Sequence, residues 1–197
     1  MPPTAPRSSH VARWTWATFL GWTFGFVLLL LFIGISGMVG LGSTQFPLGL
    51  GMGTGVGLLQ RGLVADRVLA PTAWWRASII GVTAPFVLWD LLKLLHVTLP
   101  YALATTVVLC GLTVGVLQAS VLRAHSTRSA EWIPASVLGW GLAAATLLVN
   151  DRLPKTPGLV GALIYVAVVL VGGVLLGLVT GLALERLLKA PSGSPAP

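Results

Sequence analysis

The sequence predicts an all-α integral membrane protein, and three observations carry that prediction. Of the 197 residues, 55% are hydrophobic and only 9% are charged, whereas a soluble domain carries charge on about a quarter of its residues. Apolar stretches recur along the whole chain, each close to the roughly 20 residues that a helix needs to cross a bilayer. These stretches do not alternate as membrane β-strands do. Because lipid offers no hydrogen bonds to the backbone, we expect helices.

Six stretches are long and apolar enough to be predicted spans: 14–34, 47–65, 74–95, 99–122, 132–149 and 159–184. Together they form a single predicted transmembrane domain over 13–189. The segments 1–12 and 190–197 are rich in proline and small residues, and we expect both to be disordered tails. The basic start and apolar run are similar to a secretory signal. The run is longer than a signal core, so we expect it to be retained as the first span.

The charged residues predict the orientation of the chain. The net charge is +7, but the basic residues lie singly between apolar stretches, which is typical of topology signals rather than of nucleic-acid binding. Most fall in the N-terminus, the second and fourth connections and the C-terminus: Arg7, Arg13, Arg61, Arg67, Arg76, Arg123, Arg128, Arg186 and Lys189. Lys93, Arg152 and Lys155 fall on the opposite side. We therefore predict a multi-pass protein of the bacterial cell (inner) membrane with both termini in the cytoplasm.

A pattern of small residues occurs three times and predicts three tandem helix hairpins, over about 14–66, 74–124 and 132–189. The first helix of each hairpin carries tryptophan, alanine, a hydroxyl residue and glycine on one helical face: Trp14, Ala17, Thr18 and Gly21; Trp74, Ala77, Ser78 and Gly81; Trp132, Ala135, Ser136 and Gly139. The second helix carries two glycines four residues apart: Gly53 and Gly57, Gly111 and Gly115, Gly177 and Gly181. Gln60, Gln118 and Leu184 follow three residues later.

The repeated residues predict how the helices associate. Glycines on a shared face let helix backbones approach closely in lipid; we assign this role to Gly21, Gly53, Gly57, Gly81, Gly111, Gly115, Gly139, Gly177 and Gly181. Trp14, Trp74 and Trp132 lie at the predicted cytoplasmic helix ends, where we expect them to anchor in the headgroup region. The glycine-rich segment 40–57 favours a close helix crossing, with a re-entrant or broken segment beside a cavity as the alternative.

Five polar residues are candidates for a ligand site or an ion pathway. Gln60 and Gln118 could line a polar path, although hydrogen bonds between helices are the simpler interpretation. Asp90, Lys93 and His96 follow one another at three-residue spacing near the end of the third span. Ionisable groups at membrane depth mark ligand sites and proton or ion paths. The simpler interpretation is an ion pair between Asp90 and Lys93 that ends the helix.

The sequence predicts no enzyme. It contains no H-E-x-x-H motif, P-loop or dinucleotide fingerprint, and Cys110 is the only cysteine. We therefore predict no catalytic residue, no cofactor and no metal site.

The repeated motif resembles that of a group of uncharacterised bacterial polytopic membrane proteins built from G-x-x-Q … W-x-x-A-x-x-x-G helix-hairpin modules. The residues that carry the resemblance are Gly115, Gln118, Val121, Leu122, Arg123, Trp132, Ala135, Leu138, Gly139 and Trp140. The copy over 57–81 departs from it, since Val82 stands at the position of Trp140. The resemblance implies a helical membrane fold and implies no particular activity.

Two functions remain open at the level of sequence. The few buried polar residues, packing glycines and short connections favour a non-catalytic interaction, accessory or assembly subunit. Its partners would be the lipid bilayer and another membrane protein or a second copy. The alternative is a small-solute transporter or a substrate-binding transport component, which the glycine-rich second helix and the residues around Asp90 favour.

Overall fold

The structure is a computed structural model that describes residues 10–65, 70–98, 100–154 and 156–189. Within these ranges it contains six α-helices and one 3-10 helix. They are α1 (His10–Met38), α2 (Phe46–Ala65), α3 (Pro71–Leu94), α4 (Ala102–Leu122), the 3-10 helix (Ser129–Glu131), α5 (Trp132–Arg152) and α6 (Gly158–Lys189). The predicted all-α class is confirmed.

Among the described residues, five helices are long and apolar enough to cross a membrane. They confirm the prediction of a helical membrane protein. Helix α2 is not among these five candidate spans, although it has 20 residues. Its six glycines, with Gln60 and Arg61, lower its mean hydropathy. The sixth span therefore stays a prediction.

The predicted tails fall mostly on residues 1–9 and 190–197, which lie outside the described part of the chain, as do Arg67 and Lys155. One boundary differs from the prediction. Residues 10–12 belong to α1 rather than to the N-terminal tail. These residues extend the hydrogen-bonded ladder of a helix longer than the bilayer core requires.

The six helices form a closed ring. Each packs against its neighbours in sequence, and α6 closes the ring by packing against α1. Helices α6 and α1 are antiparallel, since Gly173 lies against Trp22 and Gly181 lies against Trp14. We call the end of the ring where α1, α3 and α5 begin the tryptophan end, and the opposite end the cavity end.

Glycines set the spacing of the helices around α2. They lie on two faces of this continuous helix. The face toward α3 carries Gly49, Gly53 and Gly57, and the face toward α1 carries Gly51 and Gly55. A Cβ atom added at Gly49 would lie 2.7 Å from the Cα atom of Thr83, and one added at Gly51 would lie 2.5 Å from the backbone nitrogen of Leu29. The segment 40–57 thus leads into an unbroken helix that packs closely on both sides.

The other helix pairs use the same kind of contact. At each of the nine glycines assigned to helix packing, an added Cβ atom would come within 2.5–3.0 Å of an atom of a neighbouring helix. Real Cβ atoms rarely approach other atoms that closely. By contrast, Gly62 and Gly141 face open space. Neighbouring helices of the ring therefore pack closely against each other at these glycines, which have no side chain to keep them apart.

Helices α1 and α6 have few buried residues toward the cavity end. In α1 the only buried residue after Gly25 is Ser36. In α6 the stretch 159–168 contains no buried residue, and its side chains are exposed around the helix. Both helices thus present apolar surface that the rest of the described chain does not cover.

Candidate functional site

A cavity of about 240 Å³ lies on the axis of the ring at the cavity end. All six helices line it, through residues such as Phe26, Met52, Phe86, Val107, Trp140 and Val169. The wall is hydrocarbon and aromatic apart from the hydroxyl of Tyr165 and the indole nitrogens. Interior packing normally leaves few voids larger than a water molecule, so a cavity of this size suggests a binding site. We call it the central cavity.

Two tryptophans border the central cavity on the side of the tryptophan end. The ring centroids of Trp22 and Trp140 are 5.7 Å apart. The indole nitrogen of Trp22 donates a hydrogen bond of 3.1 Å to the carbonyl oxygen of Val169. With its donor bound to α6, Trp22 presents an apolar surface to the cavity.

The tryptophan end is filled by Trp14, Trp74 and Trp132, which are at most 1% exposed. They contact one another edge to face, with ring centroids 5.4–6.3 Å apart. The prediction that they anchor in the headgroup region is wrong, because the neighbouring helices cover them. All three point toward the ring axis, where three large aromatic rings bury their area against each other.

Gln60 and Gln118 bind these tryptophans to the surrounding helices. The Gln60 carbonyl accepts a hydrogen bond of 3.3 Å from Trp74, and its amino group donates one of 2.9 Å to Thr18. Gln118 makes the same two contacts, at 2.9 Å each, with Trp132 and Ser78. Both amides are buried and bound on both sides. This geometry matches the interhelical interpretation and leaves no free amide facing a path.

The third position lacks a glutamine but not a hydrogen bond. Leu184 stands where Gln60 and Gln118 stand in their helices. The indole nitrogen of Trp14 donates instead to the hydroxyl of Thr180, 2.9 Å away and one turn earlier in α6. Sequence reasoning missed Thr180. Its position on the same helical face as Leu184 is the signal that could have identified it.

Asp90 and Lys93 bind the connection between α1 and α2. The Asp90 carboxylate accepts hydrogen bonds of 2.7–2.8 Å from the backbone nitrogens of Gln45 and Phe46. It therefore caps the start of α2, where the helix dipole favours a negative charge. The Lys93 ammonium donates to the carbonyl oxygen of Ser43 at 2.8 Å. Instead of forming the predicted ion pair with each other, Asp90 and Lys93 each contact the connection between α1 and α2.

His96 is not part of that arrangement. It follows the end of α3 in a left-handed conformation with φ of 57° and is exposed. None of Asp90, Lys93 and His96 lines the central cavity. Tyr165 lines the central cavity and two further recesses, one of which is also lined by Asn150 and the other by Asp151. Sequence reasoning missed these residues as site members.

In the part of the chain that the structure describes, no group of three or more His, Cys, Asp or Glu residues could hold a metal ion. Comparisons with known protein families, curated proteins and solved structures find no match. The central cavity is therefore the feature from which a function can be argued.

Proposed function

We propose that the protein binds a small apolar ligand in the central cavity, as a non-catalytic membrane binding protein or the substrate-binding component of a transporter. The observation that carries this proposal is the cavity itself, about 240 Å³ in volume and lined by all six helices. An apolar protein cavity of about 150 Å³ holds benzene. By proportion, the central cavity has room for about ten carbon atoms.

The closure of the ring supports binding rather than conduction. Below the central cavity, the polar residues around Gln60, Gln118 and Ser136 leave a space of only about 10 Å³. A space of that size holds about one water molecule. The three buried tryptophans close the axis beyond it. A ligand in the central cavity would therefore enter and leave from the cavity end.

A substitution that fills the cavity tests the proposal. Val107 is buried and lines the central cavity, so Val107→Phe places an aromatic ring inside it. Val116→Phe is the matched control, because Val116 lies on the same helix and is 48% exposed. We expect n-decane to raise the thermal unfolding midpoint of the wild type and of Val116→Phe, but not of Val107→Phe. An equal rise in all three proteins would refute the proposal.

A second candidate function, an accessory or assembly subunit, is favoured by the exposed parts of α1 and α6. No residue of 159–168 is buried, so another membrane helix, from a partner or a second copy, has room to pack on this segment in place of lipid. A photoreactive residue at Leu163 should then crosslink to that helix in native membranes. The same residue at Leu112, which is exposed on α4, should not. Equal crosslinking at both positions would argue against a specific partner.

We further propose that the chain crosses the bacterial inner membrane six times, as three tandem hairpins, with both termini in the cytoplasm. The support is the recurrence of the contacts of Gln60 at Gln118 and the basic residues at the tryptophan end. That the chain belongs to the group of helix-hairpin membrane proteins that its sequence resembles also stays a prediction. Cysteines at Ala65 and His125 should react with an impermeant reagent from the cytoplasmic face, and one at His96 from the other. Reaction of the first two from opposite faces would overturn this topology.

A further inference from the structure

Asn150 carries a buried hydrogen-bond donor without an acceptor. It lies in the last turns of α5 and is 6% exposed. Its amino group has no hydrogen-bond partner among the residues that the structure describes. Buried polar groups in proteins are almost always paired, with protein, water or a ligand. This donor is therefore available to an oxygen atom that the described residues do not provide.

The surroundings of Asn150 adjoin the central cavity. A recess of about 110 Å³ between α5 and α6 is lined by Asn150 and Tyr165. A second recess, of about 240 Å³, is lined by Tyr101, Asp151 and Tyr165. Tyr165 also lines the central cavity, and Leu147 is shared between the central cavity and the second recess. Tyr165 thus lines the central cavity and both recesses, and we take the two recesses as the polar mouth of the apolar cavity.

The charge at the mouth restricts the ligand. The Asp151 carboxylate can accept a hydrogen bond from a hydroxyl or an amide and would repel an anionic group. The Asn150 amino group can only donate, so it requires an oxygen acceptor. A head group that satisfies both residues combines a carbonyl oxygen with an O–H or N–H donor and carries no negative charge.

We infer that the ligand is a single-chain amphiphile with an uncharged amide or hydroxyl-bearing ester head. Its carbonyl oxygen accepts a hydrogen bond from the amino group of Asn150, and its own donor faces Asp151. Its chain, of about ten carbons by the cavity volume, extends past Leu147 into the central cavity. This inference rests on the proposed function, since it requires the central cavity to bind an apolar chain.

Three probes of the same chain length test the head group: decanamide, decanoate and n-decane. Their dissociation constants are measured by thermal-shift titration of the full chain in detergent. We expect decanamide to bind about fivefold more tightly than n-decane, the effect of about one net hydrogen bond. Decanoate should bind more weakly than decanamide. Asn150→Leu keeps the size of the side chain but removes the donor. It should reduce the affinity for decanamide to that for n-decane.

Arg152→Leu is the control for this change, because Arg152 is exposed on the same turn and lines neither recess. It should keep the preference for decanamide. Asn150→Ala, which also removes the N–H donor, gives the same test should Asn150→Leu fail to fold. Equal affinities of decanamide and n-decane, or tightest binding of decanoate, overturn the head-group inference and leave the proposed function intact. Failure of all three probes to bind overturns both.

Discussion

The two ends of the ring are built from the same six helices, yet one end is filled and the other is hollow. At the tryptophan end, three buried indoles meet on the axis and each indole nitrogen donates to a buried oxygen. At the cavity end, the axis is left open over about 240 Å³, and the amino group of Asn150 has no hydrogen-bond partner among the described residues. The comparison shows that the ring fixes the distance between helices, while the side chains that point inward decide whether the space is filled.

The glycines support that distinction, because they occur along both ends. On α2, Gly49 and Gly51 lie near the cavity end and Gly57 lies near the tryptophan end. All three leave no room for a side chain. The helices on either side of α2 are therefore equally close along its length. Around α2, the cavity therefore does not arise from helices that splay apart.

The largest expected loss of stability comes from a substitution at the tryptophan end. Trp132→Ala removes one of the three axial rings and leaves the carbonyl of Gln118 without its donor. Removing a fully buried aromatic side chain costs about 3–5 kcal/mol of unfolding free energy. Trp16→Ala, at a position 63% exposed, should change it by less than about 0.5 kcal/mol. Reversible unfolding in mixed micelles measures both, and a similar cost for the two variants would show that the axial rings do not stabilise the ring.

An intermediate effect tests whether the spacing of the helices is common to both ends. Gly55 lies against the backbone of Gly25 on α1, so Gly55→Leu forces α1 and α2 apart. Such overpacking costs about 1–3 kcal/mol, occasionally more. Gly62→Leu is the matched control on the same helix, since an added Cβ atom there meets nothing within 4 Å. Since leucine has a higher helix propensity than glycine, equal destabilisation of the control would mean that close contact with α1 does not explain the result.

The fold could be predicted from the sequence because composition alone determines that lipid is the solvent. The predicted spans 74–95 and 99–122 differ by at most three residues at each end from α3 (Pro71–Leu94) and α4 (Ala102–Leu122). The hydrogen bonds of Gln60 and Gln118 across helices were also the preferred interpretation. Their partners were not predicted, because those partners depend on which helices become neighbours.

The features that the sequence did not reveal depend on closure of the ring. A tryptophan near the end of a span suits both a headgroup anchor and a buried axial position, and only the contact of α6 with α1 decides between them. Asn150 stands directly before the charged residues Asp151 and Arg152, and nothing in this local sequence indicates that its side chain is buried. The recess beside it is completed by Gly161, Ile164 and Tyr165 of α6. The central cavity has no local signal, since its wall is assembled from all six helices.

One pair of substitutions on α4 tests the contrast between the two ends most directly. Val107 and Val114 are both buried, 7% and 3% exposed, and lie two turns apart on the same helical face. Val107 lines the central cavity, whereas the backbone of Val114 packs against Gly81. We predict that Val114→Phe lowers the unfolding free energy by about 1–3 kcal/mol, while Val107→Phe changes it by less than about 1 kcal/mol because its ring enters the cavity. Equal destabilisation by the two substitutions would mean that the cavity end is as filled as the tryptophan end, which contradicts the account.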